Sequence, residues 1–152
     1  MRLFVLRHGD APYHPGEQER VLSSLGRQQT EDIVKHRTNE LASVKHIVSS
    51  PVRRARETLS VLLSVTNYQG KLSFDDSLRS ESSVDEVVRF MKNHDDEDML
   101  LITHQPLVGY LMDYLADDTG LGYRMGTSCM ACFNLLAFSR GCGELLWLDS
   151  PC

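Results

Sequence analysis

No stretch of the 152-residue sequence approaches the roughly 20 consecutive apolar residues that a membrane-spanning helix requires. The opening "MRLFVLRHGD" has a short apolar run but no small-residue cleavage site, so a secretory signal is not expected either. Excess positive charge is also lacking. The formal charge is -5, whereas duplex binding depends on clustered Lys and Arg that neutralise phosphates, so nucleic acid is not an expected partner. Internal repeats, low-complexity tracts and linkers are missing as well. These absences leave one domain over residues 1–152, expected in the cytoplasm, in which any anionic ligand must be held by a local basic pocket.

Cysteine is sparse and unevenly placed. Cys129, Cys132, Cys142 and Cys152 all fall in the last quarter of the chain, which suits a reduced protein better than a disulfide framework. Cys129 and Cys132 form a CxxC within the strand-like "TSCMACFNLLAF", where residues three apart point to opposite faces of a sheet. There is no second CxxC, and no HExxH or other tight ligand spacing, so neither a metal nor another cofactor is expected.

Apolar residues make up 41% of the chain, enough for a real core at this length. Arg2 to Leu6 reads as a buried strand. Ser23 then caps a helix from about Ser24 to Arg37 whose inner face takes Leu25, Ile33 and Val34. "HIVSSPVRRARETLSVLLSV" repeats the scheme, with a strand from His46 to Ser49, Ser50 as N-cap and Pro51 at the first helical position. Val52, Ala55, Leu59 and Leu62 form its apolar stripe. Lys71 to Phe74 reads as an edge strand, and Val84 to Asn93 as a helix with Val87, Val88 and Met91 inward. A third unit has a strand from Met99 to Thr103, a helix start at Pro106 and a helix to about Ala116. Two last strands, about Cys129 to Ala137 and Glu144 to Leu148, read as a closing hairpin. The pattern predicts an α/β fold, a three-layer α/β/α sandwich with a mostly parallel central sheet and an antiparallel edge.

In such sheets ligands bind beyond the carboxyl ends of the parallel strands. Three ends therefore matter: "RHGD", "SSPVRRA" and "THQP". They supply Arg7, His8, one or more of Arg53, Arg54 and Arg56, and His104, together with helix N-termini that favour anions. The combination outlines a phosphate site in an acidic protein. A neutral imidazole kept so by nearby guanidiniums is a nucleophile near pH 7, and arginines can stabilise the oxygens of a transferring phosphoryl group. Each piece also has a plainer explanation. A histidine at a strand end is more often structural than nucleophilic, Arg53 can pair with Glu57 at i, i+4, and Ser50 and Pro51 are explained as cap chemistry. Only the coincidence of all three strand ends favours the functional reading. His14, His36, His46 and His94 show no such arrangement and are read as surface or packing residues.

These motifs resemble those of the histidine phosphatase, or phosphoglycerate mutase-like, superfamily, and within it the SixA-type phosphohistidine phosphatases. "LRHGDA" is similar to the Arg-His-Gly signature, "SSPVRRARETL" to the Ser-Pro-x-x-Arg-Ala motif, and "LLITHQPLVGYL" to the segment with the second site histidine. "ERVLSSLGRQQ", "TSCMACFNLL" and "WLDSPC" extend the likeness along nearly the whole chain. The resemblance implies that His8 becomes phosphohistidine, that Arg7 and Arg54 bind phosphate, and that His104 donates to the phosphoryl group. It leaves open whether Arg20 touches phosphate or pairs with Glu17 or Glu19.

Larger members carry a catalytic acid and a cap in an insertion that only "GKLSFDDSLRSESSVDE" occupies here, with Glu81 as the nearest candidate acid. A short interval implies an open crevice suited to a phosphorylated side chain on another protein. The function implied is a phosphohistidine protein phosphatase, expected to be a monomer. Its partner would be a histidine phosphotransfer domain, as in a hybrid sensor kinase of a phosphorelay, or a phosphocarrier protein. The alternative is a broad small-molecule phosphomonoesterase or mutase of the same superfamily.

Overall fold

Six strands form one sheet in the order β3-β2-β4-β1-β5-β6. In the computed structural model, which describes residues 1–16, 19–94 and 97–151, these are β1 (Arg2–Arg7), β2 (His46–Ser49), β3 (Lys71–Phe74), β4 (Met99–Thr103), β5 (Met130–Leu135) and β6 (Gly143–Asp149). β3, β2, β4 and β1 run parallel, and β5 and β6 continue the sheet antiparallel. The helices are α1 (Ser24–His36), the short α2 (Thr38–Leu41), α3 (Arg53–Val65), α4 (Val84–Met91) and α5 (Leu107–Ala116).

Two-residue alternation in the central strands sorts their side chains into two cores. Phe4 and Leu6 of β1 and Leu100 and Ile102 of β4 pack with Ile33 and Val34 of α1 and with Ala55, Leu59 and Leu62 of α3. Leu3, Val5, Met99 and Leu101 face the other way, onto Val87 and Met91 of α4 and Leu107, Leu111 and Met112 of α5. The expected three layers follow, because strands buried on both faces need helices on both faces. Phe4 is fully buried in the first core, and Phe4→Ala would cost about 3–5 kcal/mol through lost transfer energy and the cavity left behind. Cys132 belongs to that core and Cys129 to the opposite one, so the CxxC splits across the sheet as its spacing predicts.

Two expectations are corrected. Leu25 is 57% exposed, because the buried stripe of α1 runs through Gly26, Thr30, Ile33 and Val34, and Leu25 lies a rotation of about 100° away from it. Glycine takes the first position of that stripe because a Cβ there would lie 2.4 Å from the backbone oxygen of Asp10. Ser50 does not cap α3. That helix starts at Arg53, after Val52 as a cap without a side-chain hydrogen bond, and Pro51 precedes it. The Ser50 hydroxyl is engaged elsewhere.

Sheet register brings the candidate residues together. Arg7 lies beside Thr103 and Ser49 beside Ile102. Pairing continues one residue further, since the His8 amide donates to the Thr103 carbonyl (3.1 Å) and the Ser50 amide to the Ile102 carbonyl (2.9 Å). His8, Ser50 and His104 thus leave three adjacent strands at one level.

Candidate active site

β1 ends by turning His8 inward, and Gly9 permits the turn. A Cβ on Gly9 would lie 2.9 Å from the Gly26 carbonyl and 3.0 Å from Thr30 Oγ1, so the loop can approach α1 only without a side chain. Ser23 secures the same junction: its Oγ donates to Asp10 Oδ2 at 2.6 Å and accepts from the Gly26 amide at 2.9 Å as the N-cap of α1.

The His8 ring is 3% exposed and its tautomer follows by elimination. Nδ1 lies 2.8 Å from the Gly9 carbonyl, which can only accept, so Nδ1 carries the proton. Nε2 receives the Nε–H of Arg54 at 3.4 Å, and a guanidinium can only donate, so Nε2 holds a lone pair. Burial lowers the His8 pKa to about 3; the hydrogen bond to the Gly9 carbonyl opposes it more than any single neighbouring charge assists it, and Arg54, Arg7 and Arg20 add in that order to the lowering. The ring is a neutral base with its free nitrogen facing a cation.

Of the three arginines left open by helix periodicity, burial selects one. Arg54 is 4% exposed, whereas Arg56 is exposed and Arg53 points to solvent, bonding Glu57 at 3.3 Å and Glu19 at 3.6 Å. Thr58, one turn further along α3, locks Arg54 to the β1 loop. Its hydroxyl donates to the Arg54 carbonyl at 2.8 Å and accepts from the Gly9 amide at 3.0 Å. Arg7 donates from Nη1 to the Met125 carbonyl at 3.1 Å, and its Nε is buried with no hydrogen-bond partner among the described residues. Gln105 holds the same loop, donating to the Gly122 and Met125 carbonyls at 2.8 and 3.1 Å.

His104 is 1% exposed, its ring centroid 5.0 Å from that of His8. Burial, and then His8, Arg54, Arg7 and Arg79, lower its pKa to about 2. Its Nε2 lies 2.7 Å from Ser50 Oγ, and its Nδ1 is buried with no hydrogen-bond partner among the described residues.

Two candidates stand apart. Arg20 donates from Nε and Nη2 to the Ala11 carbonyl while its charge reaches His8 and Arg7. Glu19 pairs with Arg53, and Glu17 lies outside the described residues. Glu81 is exposed and accepts from the Ser80 hydroxyl at 3.0 Å. His46 is buried against Ser73, at 2.6 Å, and faces His94, so these two serve packing. Sequence reasoning missed Thr58, Gln105 and the true partner of Ser50. Thr58 was accessible, because a hydroxyl four residues after Arg54 shares its helix face.

Among the described residues, no group of three or more His, Cys, Asp or Glu side chains is arranged to hold a metal ion, and no helix is long and apolar enough to cross a membrane. Chemically, the arrangement offers a neutral imidazole with an oriented lone pair, a second neutral imidazole beside it, and the buried guanidinium of Arg54 and half-buried one of Arg7 near both. It fits attack on a tetrahedral oxyanion such as phosphate.

A family model for the histidine phosphatase superfamily (branch 1) matches residues 3–82, a segment that includes Arg7, His8 and Arg54. The chain belongs to the histidine phosphatase superfamily. The phosphohistidine phosphatase SixA of Escherichia coli K12 is 26% identical over 156 aligned positions, covering 100% of this chain and 95% of that protein. A solved structure of the protein histidine phosphatase SixA complexed with tungstate is 27% identical. It superposes with a TM-score of 0.88 over 100% of this chain and 98% of the other. An Entamoeba histolytica phosphoserine phosphatase complexed with 3-phosphoglyceric acid shares the fold at 12% identity, with a TM-score of 0.72 over 98% and 96% of the two chains. This chain is thus a histidine phosphatase homologue similar to SixA over its whole length.

Proposed function

We propose that the protein is a phosphohistidine protein phosphatase acting on a histidine phosphotransfer domain of a phosphorelay, or on a similar phosphocarrier protein, with His8 as nucleophile. The observation that carries the reading is the His8 ring, neutral, buried and oriented so that Nε2 is the free nitrogen beside Arg54. Full-length similarity to SixA proteins supports the substrate class.

In this reaction the substrate's phosphorylated ring carries a proton on its other nitrogen. His8 Nε2 attacks phosphorus, a P–Nε2 bond forms and the P–N bond of the substrate breaks, releasing a neutral imidazole and leaving His8 as phosphoimidazolium with its Nδ1–H kept. Water then attacks phosphorus, the P–Nε2 bond breaks, and dihydrogen phosphate leaves with both water protons while His8 returns to its neutral state. Arg7 and Arg54 hold the phosphoryl oxygens, His104 donates to one of them, and Arg20 adds charge at the rim.

The leaving group decides between protein and small-ester substrates. An alkoxide needs a proton in the transition state, and positioned acids contribute about 10²- to 10⁴-fold. A phosphoimidazole protonated at its other nitrogen releases neutral imidazole, whose conjugate acid has a reference pKa of about 6.5, and so departs with much less help. An exposed Glu81, bonded to its neighbour, suits a site without a built-in acid. Between α3 and α4 the chain forms only β3 and a short 3₁₀ turn at Asp76–Leu78, which favours a crevice open to a macromolecule.

Purified phosphotransfer proteins, labelled on histidine, test the reading. The expected result is loss of label with wild type, an acid-labile phosphoenzyme on rapid quench, and neither with His8→Ala. A higher kcat/KM on sugar phosphates than on every phosphohistidine protein would overturn it.

A further inference from the structure

We infer that Ser50 is a positioning residue that fixes the tautomer of His104, so that Nδ1, and not Nε2, is the atom that donates to the phosphoryl group. The inference deepens the reading above and rests on it for the identity of the guest anion, but not for the protonation state.

Ser50 is fully buried, and its Oγ has two contacts among the described residues: His104 Nε2 at 2.7 Å and the Val52 amide at 3.3 Å. The amide can only donate, so one Oγ lone pair is taken and the hydroxyl proton needs an acceptor. Two patterns satisfy the short contact. If His104 Nε2 carried the proton, Ser50 would accept twice and its own O–H would be buried with nowhere to go. His104 Nδ1 would then be a bare lone pair. If Ser50 donates to Nε2, the hydroxyl is satisfied on both sides and the proton of the neutral ring sits on Nδ1. The second pattern leaves one polar group unmatched and the first leaves two, and buried polar groups are rarely left unmatched.

The remaining unmatched group is the Nδ1–H of a ring that is 1% exposed. Its neighbours are His8 and the charges of Arg54, Arg7 and Arg79, an environment that repels cations and welcomes an oxyanion. A bare lone pair in that position would repel the same guest. Ser50 thus decides whether His104 meets an anion as donor or acceptor. The position of Ser50 is set by the sheet, through its amide bond to Ile102 (2.9 Å), rather than by helix capping.

Nitrogen-15 NMR of the histidine rings in the full chain reads the tautomer directly. Wild type should show His104 protonated at Nδ1 and bare at Nε2, Ser50→Ala a mixture or reversal, and Ser50→Thr the wild-type pattern. Tungstate, as a tetrahedral oxyanion probe, should bind Ser50→Ala about tenfold more weakly and Ser50→Thr about as well as wild type. On a phosphohistidine substrate Ser50→Ala should lower kcat more than it raises KM. Wild-type His104 protonated at Nε2, or an unchanged tautomer in Ser50→Ala, overturns the inference. The spectrum does not depend on the substrate, so it stands or falls separately from the proposed function. If Ser50→Ala fails to fold, the wild-type spectrum alone decides.

Discussion

Acidification from pH 7 to pH 5 should destabilise the fold through His8 and His104. In the unfolded chain both rings have pKa values of about 6.5 and take up protons as the pH falls through that value. In the fold, burial and neighbouring charges hold them at about 3 and about 2, so they remain neutral at pH 5. The unfolded state therefore binds more protons, and stability rises with pH. The contribution is complete above about pH 6.5 and is lost progressively as the pH falls toward 3. Between pH 7 and pH 5 each ring costs the fold about 2 kcal/mol, and the pair about 4 kcal/mol, a large part of the 5–15 kcal/mol typical of a domain. His46, whose pKa burial also lowers, shifts stability in the same direction, so the comparison needs an internal control. Urea unfolding at pH 7, 6 and 5 should be run on wild type and on the His8→Asn/His104→Asn double variant, which keeps His46 and every carboxylate. Wild type should lose about 4 kcal/mol more than the variant over that range. Curves that stay parallel to within about 0.5 kcal/mol would refute the assignment of both rings as buried and neutral.

Thr58→Val removes the acceptor of the Gly9 amide and the donor to the Arg54 carbonyl. It should cost about 2 kcal/mol in urea unfolding and about tenfold in kcat, whereas Thr58→Ser should recover most of both. Arg54→Ala should lower kcat/KM by about 10²- to 10³-fold, and Arg53→Ala, on the solvated face, by less than about threefold; similar effects would contradict the choice made by burial. Gln105→Ala frees the loop whose Met125 carbonyl holds Arg7 and should weaken tungstate binding about tenfold by calorimetry. Glu81→Gln should change turnover of a phosphohistidine protein by less than about threefold. A loss of 10²-fold would make Glu81 the general acid.

Much of this was legible in the sequence because it rests on local patterns. The strands His46–Ser49, Lys71–Phe74 and Met99–Thr103 have the boundaries that their β-branched and apolar runs imply. Strand ends single out His8 and His104 as candidates because ligands of a parallel sheet bind at its carboxyl ends, and the fold brings these two rings together. Two errors share a different cause. Leu25 looked like a core residue because it is apolar, but the inner face of α1 at that level meets the Asp10 backbone, and only Gly26 fits. Ser50 looked like a cap because Ser-Pro commonly opens a helix, but its hydroxyl meets His104, just past the end of β4 and 54 residues away in sequence. Periodicity describes one element at a time, and contacts between elements lie outside it. The choice of Arg54 over Arg53 and Arg56 is of the same kind, since it depends on which helix face meets β1.

In the proposed reaction, the electrostatics of the site explain how an acidic chain could take up a phosphoryl group without protonating His8. The charges that bear on the two imidazoles are positive: Arg54, Arg7 and Arg20 on His8, and Arg54, Arg7 and Arg79 on His104. Before an anion arrives they disfavour protonation of either ring and so preserve the His8 lone pair. A phosphoryl dianion reverses the local field. At about 4 Å and an effective dielectric of about 20, each pairing of that dianion with a guanidinium would be worth about 4 kcal/mol. The Nδ1–H of neutral His104 would then donate as negative charge builds on the transferring oxygens, while His8 commits its lone pair to phosphorus. Burial, aided by the guanidiniums, thus keeps the His8 lone pair unprotonated in the resting protein, and in the proposed reaction the same guanidiniums hold the phosphoryl group, a division that requires the two rings to present different nitrogens. Gly9 secures that difference at His8 by accepting from Nδ1, and Ser50 at His104 by donating to Nε2.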